Sequence, residues 1–433
     1  MLAPLPVGGI EIQKLVKIGY DVPSAKSTNH RSRLFIIFQH STHHVFLHLP
    51  PAMIDLSKKE NCCGCSACVS VCPISCISWQ TDHEGFDYPH VDQTKCTQCK
   101  KCVNVCPVLH PRSPGKPTAY ACYNTDEEIR GKSSSGGIFT MLAELVLSKN
   151  GIVFGARFDD HFRVVHDSIN TAKSLDCLRG SKYVQSHLED SFPRIKRFLD
   201  EGREVLFSGT PCQVAGLRNF LGRGFSNLLV VDLVCHGVPS PKVLRLYREE
   251  LENKHHSNVR EIRFRDKACG WKNFQIVMEF DQYVYRGGIW KDPYMRGFLV
   301  NLFLRPSCHC CKANAYRSGS DITLGDYWGI ETIHPHLDDD RGISLLLTHT
   351  AKGEEYFGMI QGQGLRVETT KLAIAIPHNP CLVRSVRPHG NRKRFFKEFE
   401  ERPLSEWIQE CTKSKRGVIP LCKRIVKRLL CWR

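Results

Sequence analysis

Two cysteine runs decide the fold of the first part of this chain. They are Cys62-x-x-Cys65-x-x-Cys68-x-x-x-Cys72-Pro73 and Cys96-x-x-Cys99-x-x-Cys102-x-x-x-Cys106-Pro107. In this spacing three close cysteines bind one iron–sulfur cube, and the fourth, just before proline, reaches across to the other cube. The runs therefore predict a domain with two [4Fe-4S] clusters, which transfers single electrons. A structural zinc site is disfavoured, because two such runs ending in Cys-Pro have no use in a zinc ribbon.

Composition limits the remaining classes of protein. The chain has 433 residues, which suggests two or three domains, and its 42% hydrophobic content allows a normal core. It has 22 cysteines, of which the two runs explain eight. A secreted disulfide scaffold is disfavoured by the length and by the cluster-type spacing, so we expect a reducing cytoplasm. The sequence shows neither a stretch of 18 apolar residues nor a signal-peptide core, so no membrane-spanning helix is predicted.

The formal charge of +16 is concentrated at one end of the chain. Residues 381–433 hold fifteen Lys and Arg against five Asp and Glu, and we interpret them as a basic helical tail. Residues 421–433 place apolar and basic side chains on different faces of a predicted helix. Such a helix either lies on an anionic membrane surface, at the inner face of the membrane, or docks on its own domain. A nucleic-acid role is not expected, because no recognition fold is visible.

Residues 1–52 show no clear periodicity and hold five of the 20 histidines. We predict that Met53 is the natural start and that these residues are an over-extended reading frame. The alternatives are a disordered arm and a metal-binding patch at His40, His43 and His44. A tryptic peptide from residues 1–52 would rule out the first interpretation.

After the ferredoxin-like module of residues 53–110 and a Pro-rich linker at 111–117, the pattern changes. Residues 118–380 alternate strand and helix signals and predict a larger α/β domain with a partly parallel sheet. The predicted strands are 152–158, 204–208, 228–234 and 322–324; the predicted helices are 138–149, 211–221 and 241–252; residues 129–137 are predicted as a loop.

A second group of cysteines falls in this larger region. Cys212 and Cys235 each follow a predicted parallel strand, where open α/β sheets bind ligands. Cys308-x-x-Cys311 is a spacing that lets one loop give two ligands to one metal centre. The four thiols suffice for a third [4Fe-4S] cluster. The alternatives are a nucleophilic Cys212 at a strand-to-helix turn, and unrelated buried thiols beside a surface Cys-x-x-Cys.

The loop Lys132-Ser133-Ser134-Ser135-Gly136-Gly137 precedes a predicted helix. Glycines and a helix N-terminus favour an anion, so a phosphate-bearing cofactor is one interpretation. An ordinary serine cap is the other. Because clusters pass one electron at a time and most metabolites need two, an anion site beside clusters argues for a flavin.

Five motifs together carry a resemblance to a known family. They are Ser134–Thr140, Gly180-Ser181-Lys182-Tyr183, Gly209-Thr210-Pro211-Cys212-Gln213, Cys235-His236-Gly237 and Ser320–Gly329. In this order they resemble the beta subunits of hydrogenases and dehydrogenases that use the deazaflavin coenzyme F420. The resemblance covers roughly residues 55–345 and implies an α/β domain that binds FAD and one more [4Fe-4S] cluster.

The resemblance also implies site residues. Metal ligands would be Cys212, Cys235, Cys308 and Cys311, in addition to the eight cysteines of the two runs. Flavin contacts would be Ser135, Gly136, Gly137, Ile138, Thr140, Ser181, Lys182, Tyr183, Thr210, Pro211, Gln213, Gly325 and Asp326. Lys182 and Asp326 are the candidate catalytic residues. Cys63, Cys76 and Cys310, which lie beside ligand positions, are interpreted as small buried residues or bystanders, and exchange with a cluster ligand is the alternative.

The sequence thus predicts a cytoplasmic iron–sulfur flavoprotein. Electrons would pass between ferredoxin-type clusters and FAD, and on to a deazaflavin or another organic acceptor. The alternative is an electron-transfer subunit without its own substrate site, which would serve a partner oxidoreductase. A redox partner protein or a small-molecule acceptor is expected in either case, and an oligomer is compatible with both.

Overall fold

The computed structural model describes Ile54 and residues 58–413. The predicted extension 1–52 with the start at Met53, and the predicted helix 421–433, lie outside the described residues. All of the described residues belong to one compact unit. The predicted boundaries of a 53–110 domain and a 118–380 domain therefore stay a prediction. Within the described residues, every helix falls short of the length and apolar character that a membrane span requires.

The described chain contains thirteen strands. They are β1 (Ile77–Thr81), β2 (Asp87–Val91), β3 (Thr118–Asn124), β4 (Ile152–Phe158), β5 (Val164–Ile169), β6 (Val205–Gly209), β7 (Leu228–Leu233), β8 (Val259–Asp266), β9 (Gln275–Phe280), β10 (Val284–Gly288), β11 (Ile322–Asp326), β12 (Ser344–Thr348) and β13 (Leu365–Thr370).

Thirteen α-helices connect them in the same part of the chain. They are α1 (Ala67–Val71), α2 (Lys101–Asn104), α3 (Glu127–Lys132), α4 (Ile138–Ser148), α5 (Ser191–Asp200), α6 (Pro211–Leu221), α7 (Pro241–His255), α8 (Pro293–Leu299), α9 (Ile330–Ile333), α10 (Ala351–Gln361), α11 (Leu372–Ala375), α12 (Arg392–Glu398) and α13 (Leu404–Thr412). Short 3₁₀ turns include Lys59–Asn61 and Pro306–Cys310.

The two cysteine runs form a small, internally repeated unit. In each run the third cysteine follows a residue with positive φ, Ser66 at 63° and Lys100 at 60°, and a short helix begins after that residue. This left-handed residue turns the chain between the second and third cysteines of each run. The antiparallel hairpin of β1 and β2 lies between the two runs.

An eight-stranded mixed sheet forms the larger part of the protein. Its strand order is β13-β3-β12-β11-β7-β6-β4-β5. Strands β4, β6, β7 and β11 run parallel to one another. Strand β3 has the same direction, because two antiparallel pairings separate it from β11. Five strands therefore end at one edge. The central strands β6, β7 and β12 are buried almost throughout, which is why their sequences are nearly continuous apolar runs.

The predicted α/β fold class is confirmed, with a few differences in detail. The predicted helix 211–221 and strand 152–158 have the observed bounds. The predicted loop 129–137 is wrong in its first part, which belongs to α3. The side chain of Asp126 accepts a hydrogen bond from the Ile129 amide and caps that helix.

Two further regions differ from the sequence interpretation. The three-stranded antiparallel sheet β10-β9-β8 was not predicted. Strand β8 mixes charged and apolar residues, β9 is a short apolar run, and β10 ends in two glycines, so the three share no common pattern. Residues 392–412, assigned to the basic tail, form α12 and α13. Their side chains Phe395, Trp407 and Ile408 belong to the same core cluster as α7 and α8. Burial of this apolar face stabilises the segment as part of the main body.

Candidate functional site

The first three cysteines of the first run meet the last cysteine of the second run. This group, the inner cluster site, consists of Cys62, Cys65, Cys68 and Cys106. Burial, followed by the neighbouring thiols of Cys62 and Cys106, raises the pKa of Cys68. Cys65 is buried against α6, where a Cβ added to Gly216 would lie 2.8 Å from the Cys65 Cβ. The inner cluster site therefore lies against the large sheet domain.

The other four cysteines of the runs surround a separate cavity of about 330 Å³. This group, the outer cluster site, consists of Cys72, Cys96, Cys99 and Cys102. Cys99 is exposed, and so are its neighbours Lys100 and Lys101. The predicted bystander Cys76 also lines this cavity, with its Sγ 3.4 Å from the Sγ of Cys72. The two runs thus exchange their fourth cysteines, as their spacing predicts.

A third group of thiols lines a partly open cavity of about 740 Å³ at the carboxyl edge of the sheet. This group, the third site, consists of Cys212, Cys235, Cys308 and Cys311. Cys212 is in the first turn of α6, which follows β6, and Cys235 comes two residues after β7. The 3₁₀ turn Pro306–Cys310 and the residue after it bring the other two thiols. The structure thus brings together the four cysteines that the resemblance implied.

The chemistry of the third site fits a cluster. Burial, followed by the three other thiols of the group, raises the pKa of Cys235 well above its usual value. Burial also raises the pKa of Cys308 to about 12 and that of Cys311 to about 11. Without metal these are neutral thiols, and bound iron would deprotonate them.

In residues 58–413, no three His, Cys, Asp or Glu side chains stand close enough together to bind one single metal ion. Four thiolates around one zinc ion each lie about 2.3 Å from it. A four-iron cube is larger than one ion, so the thiols that hold it stand farther apart.

One cysteine outside the predicted ligands connects the inner and third sites. Cys63, interpreted from the sequence as a bystander, lines the third-site cavity. Its thiol lies within hydrogen-bonding reach of Cys212 on one side and of the inner ligand Cys65 on the other. Cys381 lines the same cavity, whereas Cys310 is exposed and donates to the carbonyl of Glu60 at 3.7 Å.

The predicted flavin residues lie mostly along the same edge of the sheet. Gly137 has a φ of 85° and precedes α4, and no side chain caps the amides of the first turn. Gly136 packs tightly, since an added Cβ would lie 2.6 Å from the Cys122 carbonyl oxygen. The hydroxyl of Ser135 donates to the Ile343 carbonyl at 2.8 Å. The uncapped N-terminus of α4 remains as a place where an anion would be favoured.

Arg265 of β8 joins three of the predicted motifs. It donates to both carboxylate oxygens of Asp326 at 2.9 Å, to the hydroxyl of Tyr183 at 3.2 Å and to the carbonyl of Ser134 at 2.9 Å. The Asp326 carboxylate also accepts from the indole of Trp271 at 2.8 Å. Arg265 is buried, and its Nε has no partner among the described residues. A buried unsatisfied donor is costly, so a ligand atom at this position would be stabilising.

Other predicted flavin residues are engaged within the protein. Lys182 donates to the carbonyls of Cys177 at 3.1 Å and Arg179 at 2.7 Å, and burial lowers the pKa of its amine to about 7. The amide of Thr210 donates to the side chain of Gln213 at 2.9 Å, in a capping box that begins α6. Such mutual contacts explain their positions without a ligand.

The last members of the predicted set also have contacts of their own. The hydroxyl of Thr140 accepts from Arg179 at 3.1 Å, and the Ser181 amide donates to the Ser134 hydroxyl at 2.7 Å. Ile138 is a core residue, and Pro211 is the first residue of α6. At Gly325 an added Cβ would lie 2.4 Å from Val234, so close packing requires glycine there.

The donor set therefore fits a flavin in part. The uncapped first turn of α4 and the orphaned Nε of Arg265 suit an anionic or hydrogen-bonding cofactor, whereas Thr210 and Gln213 satisfy each other. Arg265 was missed from the sequence, and so was Arg305, which contacts the inner cluster site. Neither stands out among 60 Lys and Arg residues, because their partners are remote in sequence.

Three family models match consecutive parts of this chain. Residues 61–109 match the 4Fe-4S dicluster domain. Residues 119–192 match the N-terminal part, and residues 202–372 the C-terminal part, of the coenzyme F420 hydrogenase/dehydrogenase beta subunit. The two parts together cover more than half of the chain.

A solved structure from the F420-reducing [NiFe] hydrogenase complex of Methanosarcina barkeri, studied with xenon, also matches. The identity is 18% and the TM-score is 0.44, over 67% of this chain and 93% of the other. The comparison with curated proteins gave no match. On the two family matches, the chain is an iron–sulfur electron-transfer protein that belongs to the coenzyme F420 hydrogenase/dehydrogenase beta subunit family.

Proposed function

We propose that this protein is an iron–sulfur flavoprotein oxidoreductase that passes electrons between ferredoxin-type [4Fe-4S] clusters and FAD, and on to a deazaflavin or another organic acceptor. The single observation that carries the proposal is the convergence of Cys212, Cys235, Cys308 and Cys311 on one cavity at the sheet edge. These residues come from three separate parts of the chain, and independent buried thiols have no reason to meet in this way.

The arrangement of the three cysteine groups supports a linear electron path. The outer cluster site has an exposed ligand, the inner cluster site is covered by α6, and Cys63 lies between the inner and third sites. An electron would thus exchange with an external carrier at the outer site and travel inward. The redox partner is accordingly a protein or a small-molecule carrier that reaches the loop around Cys99.

The flavin would lie near the end of β11, at the N-terminus of α4. It would supply the exchange between one-electron and two-electron chemistry. In this proposal Arg265, held by Asp326, is the residue that donates to the cofactor, while Lys182 and Asp326 remain the candidate catalytic residues. Lys182 also donates to two backbone carbonyls, which fix its amine beside the segment that contains Tyr183.

A second candidate function is an electron-transfer subunit that has no substrate site of its own. The exposed outer site favours it, because exchange with another protein needs a cluster near the surface. Turnover separates the two functions. The isolated, fully loaded chain reduces an organic acceptor with dithionite as donor in the first case, and does so only with a partner protein in the second.

Iron, sulfide and flavin contents per chain test the proposal after anaerobic purification and reconstitution. We expect about twelve irons and one FAD in the wild type, which corresponds to three four-iron clusters. Cys235→Ser should retain about eight irons. Cys381→Ser, which changes a thiol of the same cavity outside the predicted ligand set, should retain about twelve.

Three results would contradict the proposal in whole or in part. About eight irons in the wild type would show that the third cluster is absent. Equal iron contents in the Cys235 and Cys381 variants would show that its ligands are wrongly assigned. Twelve irons without flavin would leave the clusters and exclude FAD.

We also propose a cytoplasmic location and a peripheral membrane contact through the basic tail, from the sequence of residues 421–433 alone. Liposome flotation of the full chain and of a chain ending at residue 412 tests the contact. Equal flotation of the two would contradict it.

A further inference from the structure

Arg305 is a fully buried arginine between the inner and third sites. Its Nε donates to the carbonyl of Cys62 at 2.8 Å, and its Nη2 lies 3.5 Å from the Cys62 Sγ. On the other side its own carbonyl accepts from the amide of Cys308 at 3.0 Å. One residue thus contacts a cysteine of each site.

The remaining contacts of this guanidinium are with neutral groups. Nη1 donates to the side-chain oxygen of Gln185 at 2.9 Å, and Nη2 donates to the backbone carbonyl of Asp87 at 2.9 Å. The guanidinium carbon lies 4.4 Å from the centre of the Tyr88 ring. The Asp87 carboxylate lies 3.0 Å from the Nδ1 of His187 and interacts with the charge of Arg305 only at longer range, without a direct contact. Within the described part of the chain, Arg305 forms no ion pair with a carboxylate.

A buried cation whose direct hydrogen-bond acceptors are all neutral is unfavourable, because removing its charge from water is costly. An anion close to the guanidinium would compensate for this charge. A four-iron cluster with four thiolates carries roughly −2 when oxidised, and one more negative charge when reduced. The inner cluster would therefore be the missing counter-charge, at a ligand sulfur that Arg305 already contacts.

We propose that Arg305 sets the reduction potential of the inner cluster. This inference rests on the proposed function. Its positive charge and its hydrogen bond to the Cys62 sulfur stabilise the reduced, more negative form, because both interactions strengthen when the cluster gains an electron. The inner cluster is thereby the easier of the two ferredoxin-type clusters to reduce, and electrons that arrive at the outer cluster move inward.

An EPR-monitored redox titration of the loaded, full-length chain tests this proposal. The inner signal is the one that Cys68→Ser removes, and the outer signal is the one that Cys99→Ser removes. Arg305→Gln should make the inner cluster at least tenfold harder to reduce, which lowers its reduction potential by about 59 mV for one electron. The outer signal should keep its potential and serves as an internal reference.

Three further variants separate charge from packing. Arg305→Lys keeps the charge and should stay close to the wild-type potential. Gln185→Glu is nearly isosteric and places a carboxylate on the guanidinium, so it should lower the potential of the inner cluster with Arg305 still present. Arg130→Gln removes an equally buried arginine that pairs with Asp339, and should leave both signals unchanged.

The outcomes are distinct. An unchanged inner potential in both Arg305→Gln and Gln185→Glu, with full iron content, would overturn the proposal. If Arg305→Gln does not retain iron, the potential of the inner cluster in Gln185→Glu is the test: a lower value supports the proposal and an unchanged value overturns it. A wild-type protein without an inner signal would instead refute the proposed clusters themselves.

Discussion

The inner and outer cluster sites share one ligand pattern but differ in their surroundings. The inner site has buried Cys65 against α6 and a buried Arg305 beside Cys62. The outer site has exposed Cys99, with Lys100 and Lys101 in solvent. The local cysteine motif therefore specifies which thiols meet, whereas the rest of the chain determines whether the site is buried or exposed and which charges surround it. In the proposed function, the exposed outer site exchanges electrons with an external carrier and the buried inner site transfers them within the protein.

The largest expected difference concerns stability after loss of a ligand. Cys68→Ser should leave the Arg305 charge uncompensated. It should therefore lower the free energy of unfolding of the large domain by about 3 kcal/mol. Cys99→Ser should change the same free energy of unfolding by less than about 0.5 kcal/mol, since the surroundings of Cys99 are exposed. Anaerobic urea unfolding, followed by fluorescence of the buried Trp271 and Trp407, measures both. Equal losses would show that the inner site is not coupled to the large domain.

A second prediction uses pH to probe the structure that supports the third site. Buried His166 has Nε2 3.0 Å from the Ser208 carbonyl and Nδ1 3.0 Å from the Ser186 hydroxyl, which in turn accepts from Gln213 of α6. Burial lowers the pKa of His166 to about 4, against about 6.5 when unfolded. The unfolded state therefore binds more protons between these values, and stability falls as pH decreases from 6.5 to 4.

At pH 5 this group should account for a loss of about 2 kcal/mol relative to pH 7. His166→Gln should lack that part of the loss, as measured by urea unfolding at both pH values. His90→Gln, on the exposed face of β2, is the control and should behave as the wild type. A wild-type pH dependence in His166→Gln would mean that this histidine is not the responsible group.

The contact between the inner site and α6 can be disturbed directly. An alanine at Gly216 would place its Cβ 2.8 Å from the Cβ and 2.9 Å from the Sγ of Cys65. Gly216→Ala should cost about 1–3 kcal/mol through overpacking and should alter the EPR signal of the inner cluster alone. Gly224→Ala, where an added Cβ meets nothing within 4 Å, should change neither quantity. An altered outer signal in Gly216→Ala would contradict this contact.

The smallest expected effect is a difference in reactivity. In air the outer cluster should decay roughly threefold faster than the inner one, because solvent exposure governs the access of oxidants to thiolate ligands. A time course of the two EPR signals after exposure to air measures the ratio. Faster loss of the inner signal would indicate a route for oxygen that the described burial does not provide.

Sequence reasoning succeeded where the determining residues are close together. The cysteine runs and α6, with Pro211 and its capping box, are specified within about ten residues. Arg305 could not be identified in this way, since its partner Cys62 lies 243 residues away. Arg265 of β8 was missed for a related reason. The burial of Arg265 depends on Asp326 of another sheet, and isolated basic residues on a strand usually face solvent.

The most direct test of three clusters in series is an iron anomalous map from crystals of the loaded protein. We predict three groups of four iron peaks. The middle group should be bound by Cys62, Cys65, Cys68 and Cys106, beside Arg305, and the last by Cys212, Cys235, Cys308 and Cys311. Only two groups of peaks, or a group bound by all four cysteines of a single run, would contradict the account.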